Sequence, residues 1–329
     1  MKRFRDSETA LQQGAKIIMD DLENAGVNTF GNVYWVDPTN GNDNNNGQTK
    51  DSAFATITKA EATVVSGNHD IVFLSANAAH AQTKMLTLTK SRVHWVGLGG
   101  RGGSLGLGAR TRITMGDSTV AADIAVMQNT GVGRTFTGIK FDSSSTVAAS
   151  LFGIAEGGEY TIYKGCEFYK SSDLDETTAA EVLNNGDSTQ WIDCYFGSTA
   201  IIIADNKIRP CMSLTATLSG KTCRDNFMSG CVMGRKAGGT EATFIYGTNA
   251  TDVERMFVIE NTKFINNPLS AATPAVAVSF GAAQTEGAVT LDNRCLVTDV
   301  SVMATTGQNI FVDPPDGATY ALAGLGQAS

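Results

Sequence analysis

The chain repeats one hydrophobic pattern six times. It reads Phe136-Thr-Gly138-Ile139-Lys-Phe141, Tyr163-Lys-Gly165-Cys166-Glu-Phe168, Trp191-Ile-Asp193-Cys194-Tyr-Phe196 and Met228-Ser-Gly230-Cys231-Val-Met233. Two further copies are Ile259-Glu-Asn261-Thr262-Lys-Phe264 and Leu291-Asp-Asn293-Arg294-Cys295-Leu296. Each has a bulky residue, then Gly, Asp or Asn, then a small residue, a polar one and a second bulky one. A self-similar unit recurring roughly every 30 residues is the mark of a solenoid, whose repeats bury their apolar faces against one another.

Alternation after the bend places Ile139 and Phe141, Cys166 and Phe168, and Cys194 and Phe196 on one face of a strand. Lys140, Glu167 and Tyr195 then face outward. The break in alternation falls on residue types that tolerate a left-handed corner. Each copy is therefore predicted as strand, corner, strand, with loops of unequal length between copies. In the sixth, Arg294 stands where a small inward residue is expected, so that copy is either shifted by one with Cys295 inward or ends the stack.

Ahead of the repeats, Leu11, Ala15, Ile18, Met19 and Leu22 fall at helical spacing. Ser7 can cap this helix, Glu8 suits its first turn and Gly26 its end, which predicts a helix over 7–25. It reads as a cap over the open end of a solenoid or as an element that attaches to a partner. Ile71–Leu74, Leu86–Leu88, Val93–Gly97, Thr111–Met115 and Ile124–Met127 are predicted as strands leading into the stack, and the glycine-dense stretch 99–108 as coil turns.

Between helix and strands lies Val33-Tyr-Trp-Val-Asp37-Pro-Thr-Asn40-Gly-Asn-Asp43-Asn-Asn45-Asn-Gly47, followed by Ser52-Ala-Phe54-Ala-Thr-Ile57. A strand ending in Val-Asp, an Asx/Gly-rich loop and a Ser-Ala-Phe-Ala-Thr-Ile segment resemble the opening of right-handed parallel β-helix proteins. These include polysaccharide-cleaving enzymes, phage tailspikes and other virion proteins. The resemblance continues through the repeats to about residue 300. It implies an all-β, right-handed parallel β-helix (a solenoid) with an N-terminal α-helical cap, and a second short capping helix near Ile57–Val65. The organisation expected is a helical cap or attachment element over 1–30, the β-helix over 31–312 and a C-terminal tail or cap over 313–329.

Composition narrows the partners. With 33 acidic and 25 basic residues among 329, the net charge is −8 and no basic block appears, which argues against nucleic acid. No apolar run is long enough to suggest a membrane span, and Met1-Lys-Arg-Phe-Arg-Asp lacks the apolar stretch of a secretory signal. None of the six cysteines forms a CxxC pair. Cys166, Cys194 and Cys231 share one repeat column and read as buried thiols, with disulfides between rungs as the alternative. That usage suits assembly in a reducing host cytoplasm.

Candidate chemistry is sparse. Sugar hydrolysis needs two carboxylates on one surface, and the outward column Lys140, Glu167, Tyr195, Val232, Lys263 pairs no two acids. Asp193 and Asp292 lie several rungs apart. Asp173, Asp175, Glu176 and Glu181 cluster on one excursion and could supply a pair, or simply form a solvated loop. Asp37, Asn40, Asp43 and Asn45 could be oxygen ligands for calcium, the one cofactor considered, or an Asx-turn loop bonded to its own backbone. The lyases of the family carry calcium-binding aspartates and an Arg-x-Pro; Arg209-Pro210 is the nearest match here, with no aspartate cluster before it. His69, His80 and His94 precede the main stack, unpaired, and His94 reads as structural. Tyr163, Trp191 and Tyr195 could stack on a sugar, but Tyr163 and Trp191 occupy the bulky column and read as corner packing.

These features lead to an expected phage virion protein, a head decoration, head fibre or tailspike-like component acting as a non-catalytic scaffold. It would be an oligomer, of the order of a trimer, meeting other capsid or tail proteins and a host-surface glycan. The alternatives are a polysaccharide depolymerase and a carbohydrate-binding module.

Overall fold

In the computed structural model the described residues are 31–99, 111–118, 120–145, 151–170, 179–203, 207–214, 222–267, 269, 272–305 and 308–312, with the side chains of 200–203 excepted. The predicted helix over 7–25, residues 100–108 of the predicted coil and the tail after 312 lie outside them. Twenty-six strands among the described residues form three parallel sheets of ten, eight and eight strands. Sheet 1 runs from Val33–Val36 to Ile310–Val312, sheet 2 from His80–Gln82 to Leu296–Thr298 and sheet 3 from Leu86–Leu88 to Val302–Ala304.

From Ile71 onward each coil visits the three sheets in turn; the first, from Val36 to Ile71, passes instead through a short helix. One coil is Ile162–Lys164, Glu167–Lys170 and Ala180–Asn184, after which Gln190–Ile192 pairs in parallel with the strand where it began. Strands neighbouring in a sheet are thus separated in sequence by a full coil. Parallel strands need such a crossover; here the crossover is itself two more strands.

The inward columns account for the core. Val72, Trp95, Phe136, Tyr163, Trp191, Met228, Ile259 and Leu291 stand in direct register in sheet 1. Ile113, Phe141, Phe168, Phe196, Met233, Phe264 and Val297 do so in sheet 2. All of these are buried. Rings lie flat along each column: Phe136 on Tyr163 at 4.9 Å and Phe141 on Phe168 at 5.5 Å between centroids. Between columns they meet edge to face, as Phe168 does Trp191 at 5.4 Å. Both are favoured arrangements of aromatic quadrupoles.

The corner between sheets 1 and 2 is constant. Gly138, Gly165, Asp193, Gly230 and Asn261 all take left-handed φ values, from 44° to 67°. The sixth copy is shifted by one: Leu291 pairs with Ile259, but Val297 pairs with Phe264. Cys295 is accordingly buried and Arg294 exposed. Length varies in both other crossings: from sheet 2 to sheet 3 Gln82 precedes Leu86 whereas Lys170 precedes Ala180, and from sheet 3 to sheet 1 Asn184 precedes Gln190 whereas Ser213 precedes Cys223.

The short helix α1 spans Ile57–Thr63 and buries Ile57 and Ala60 against the first coils. Thr56 caps it, its side chain accepting from Lys59 N. The strand expected at Ile124–Met127 is found at Ala125–Asn129.

Candidate functional site

The Asx-rich loop is consumed by its own backbone. Asp37 Oδ1 accepts from Thr39 N, Asn40 N and Asn77 Nδ2, and its Oδ2 from Asn40 Nδ2. Burial pushes the Asp37 carboxyl up, and those bonds outweigh it, holding the group below the ordinary carboxylate range. Asp43 Oδ1 accepts from Ala55 N and Thr56 N, and Asn45 Nδ2 donates to Ala53 O. These groups pin the opening strand to α1. Among the described residues no three His, Cys, Asp or Glu side chains gather closely enough to hold a metal ion. A cavity of about 320 Å³ lies alongside, lined in part by Trp35, Asp37, Lys50, Asn77 and Leu98.

Of the four excursion acids, Asp173, Asp175 and Glu176 lie outside the described residues. Glu181 is buried in sheet 3, and Arg235 holds it bidentately at 2.9 and 2.6 Å. It is therefore not on a solvated loop. Beside it, burial and the neighbouring Arg209 pull the Lys170 amine down to about 8, against the opposing charges of Glu181 and Asp117. Arg209 itself is buried with φ 29°.

The outward column of sheet 2 has the predicted register, Lys140 beside Glu167 beside Tyr195. Lys140 Nζ lies 4.0 Å from Glu167 and 4.4 Å from the centre of the Tyr169 ring. Glu167 is nonetheless buried. Burial, with Cys211 and Glu167 next in effect, pushes the Tyr195 phenol up to about 12. Tyr163 and Trp191 are buried core rings, not sugar platforms.

The histidines are not all unpaired. His69 Nδ1 and His94 Nε2 approach to 3.2 Å, and burial followed by His69 lowers His94 to about 4. His80 Nε2 bonds Ser75 O at 2.9 Å.

Sequence reasoning missed a buried polar ladder. Asn129, Glu156 and Asn184 are in register in sheet 3. Glu156 accepts from Asn129 Nδ2, Gly158 N and the Tyr163 hydroxyl. Burial raises its carboxyl against those hydrogen bonds and the nearby Arg134. Glu61 of α1 takes Arg134 at 2.7 Å and also accepts from Thr89 N and Lys90 N. Asn-x-Gly and Glu-Gly-Gly at the ends of these strands were the available signal.

The cysteines form a ladder of another kind. All six are free and buried. The thiols of Cys166, Cys194, Cys231 and Cys295 donate in turn to the carbonyls of Phe136, Tyr163, Trp191 and Ile259, each one coil back.

The outward face of sheet 1 stands apart. Along it Val33, Ile71, His94, Thr135, Ile162, Gln190, Phe227, Val258, Thr290 and Phe311 are in register through ten strands, and none is acidic, Lys or Arg. Lowered toward 4, His94 is neutral at pH 7. The corresponding column of sheet 2 carries Arg112, Lys140, Glu167 and Lys263. From Ile162 onward the stripe is accessible, and Tyr160, Phe311 and Met256 on or beside it are 62%, 52% and 42% exposed. Ion pairs of Arg224 with Asp187 and Glu254, and of Arg255 with Asp225, run along one edge; Lys164 and the pairs of Arg294 with Glu260 and Asp292 mark the other. A neutral centre with a charged rim is the anatomy of a protein contact surface.

No protein-family model and no curated protein matches the chain. Solved structures do. Pectin methylesterase from Aspergillus niger superposes with a TM-score of 0.58 over 90% of this chain and 90% of its own, at 10% identity. Pectate lyase Pel9A superposes with a TM-score of 0.54 over 85% of this chain and 74% of its own, at 14% identity. At such identities the likeness is one of fold alone. Three parallel sheets wound coil upon coil, matched over most of their length by these two structures, make the chain a right-handed parallel β-helix protein.

Proposed function

We propose that the protein is a structural component of a phage virion, a head decoration, head fibre or tailspike-like part. In this reading it is a non-catalytic rod whose walls make particle or host-surface contacts. The observation that carries it is the uncharged stripe on sheet 1, an accessible line of neutral residues rimmed by ion pairs. A rigid interior supports the same reading: carboxylates that could have served chemistry are spent on internal work, Glu181 on Arg235 and Glu61 on Arg134. The resemblance of residues 33–57 to the opening of virion β-helices supplies the class of particle.

The test is mass spectrometry of purified particles, wild type against Phe227→Glu. The protein is expected in wild-type particles and lost or strongly depleted in the variant. New reducing ends or unsaturated uronate released from a panel of capsular and pectic polysaccharides would overturn the non-catalytic reading.

A further inference from the structure

The neutral stripe has a length, a rim and a direction, and these fit one kind of partner. Its accessible part covers the coils of Ile162, Gln190, Phe227, Val258, Thr290 and Phe311. Six rungs at about 4.8 Å give roughly 25–30 Å of length. Taken about five residues wide, the face offers roughly 450 Å² per copy, or about 900 Å² in all, just under the roughly 1,000 Å² of a specific interface, which fits a weak, concentration-dependent association.

The rim charges are opposite across the stripe at two coils. On the coil of Tyr163, Lys164 lies on the corner side and Glu159 in the turn leading into the strand. On the coil of Ile259, Glu260, which also pairs with Arg294, lies on the corner side, and Arg255, which also pairs with Asp225, lies toward the start of the strand. Asp187 and Arg224 continue the line of Glu159 from coil to coil. Two rods laid face to face, parallel and level, bring the corner-side edge of one against the opposite edge of the other. Lys164 then meets Glu159, and Glu260 meets Arg255. Antiparallel rods also oppose unlike charges, Lys164 with Glu260. They would align only the four accessible coils from Ile162 to Val258, because the face beyond Thr135 toward the first coils is already buried at Ile71, Phe73, His94 and Val96.

We propose that this face docks the same face of a second copy of the chain, with the rods parallel and in register. The inference rests on reading the stripe as a contact surface and names what it contacts. Thr290 and Gln190 would meet their own counterparts and satisfy one another across the seam. Phe227, Val258 and Phe311 would lose their exposure to water.

Sedimentation velocity of the full chain over a concentration series tests this. Wild type is expected to shift from monomer to a larger species. Val258→Lys and Ile162→Lys should hold it at monomer mass with an unchanged circular dichroism melt. Lys164→Glu should weaken association by about tenfold, and adding Glu159→Lys should restore it to within about threefold. Because Lys164 is a rim residue, this pair reports even if a stripe variant fails to fold. Wild type that stays monomeric at every concentration overturns the inference, and so does rescue by Glu260→Lys in place of Glu159→Lys. Should wild type be monomeric while Phe227→Glu is still lost from particles, the contact reading stands and the partner is a different protein.

Discussion

Tyr163 lies flat on Trp191, with ring centroids 4.5 Å apart and planes 4° from parallel. The two residues are one coil apart in sequence and adjacent in space, and the Tyr163 hydroxyl also reaches Glu156 of the preceding strand. One contact thus ties the aromatic column of sheet 1 to the polar ladder of sheet 3.

Truncating a ring in the middle of a column leaves a void with no neighbour free to fill it. Phe168→Ala should cost about 3–5 kcal/mol. Phe168→Leu should cost less, about 1–2 kcal/mol, because most of the volume is kept. Denaturant unfolding of both variants measures the difference. Equal losses would mean that the column is not close-packed.

The Glu181–Arg235 pair is buried and bidentate, so breaking it differs from replacing it. Arg235→Met alone strands a buried carboxylate and should cost about 3–5 kcal/mol. Adding Glu181→Leu should recover most of that loss. A double-mutant cycle by chemical denaturation checks the prediction; additive losses would contradict it.

Acid should weaken the fold through His94. Its folded value of about 4 lies below the ordinary histidine value of 6.5. The unfolded chain therefore binds the proton first, and stability falls as pH drops from about 6.5 to about 4. The full effect is on the order of 3 kcal/mol. Glu156, held above the usual carboxylate range, works in the opposite sense, losing stability as pH rises through its own value. The comparison is therefore wild type against His94→Gln, which should flatten that part of the stability–pH curve.

Burial first, then the neighbouring Cys194 of the column, pushes the Cys166 thiol well up, and burial does the same to Cys194. A thiol reagent added to native protein should leave this column unmodified, and all six cysteines should react after unfolding. Rapid reaction of Cys194 in the native state would place it at the surface.

The solenoid was legible because its signal is repeated. The Phe141, Phe168, Phe196, Phe264 column and the Gly138, Gly165, Asp193 corner each recur at the same offset, so one copy corrects another. The break at Arg294 was legible for the same reason, and of the two readings it offered the structure takes the one-residue shift with Cys295 inward. A second left-handed ladder, at Tyr160, Ser188, Asp225 and Asn309, was not. Those side chains share no chemistry, and only backbone geometry relates them. Glu181 was misplaced because its neighbours in sequence are loop-like, whereas its partner Arg235 is 54 residues away. The His69–His94 contact was hidden similarly, in two residues that meet only once the first coils are wound.

The lengths of the crossings have a consequence for how such a rod can change. Across the five copies from Phe136 to Phe264 the corner after sheet 1 holds one or two residues between strands, whereas the crossings into sheet 3 and out of it hold between five and nine. Along those coils added residues therefore fall on either side of sheet 3 and leave the corner between sheets 1 and 2 smooth. A rod of this kind can take on new loops around sheet 3 while that corner keeps its shape.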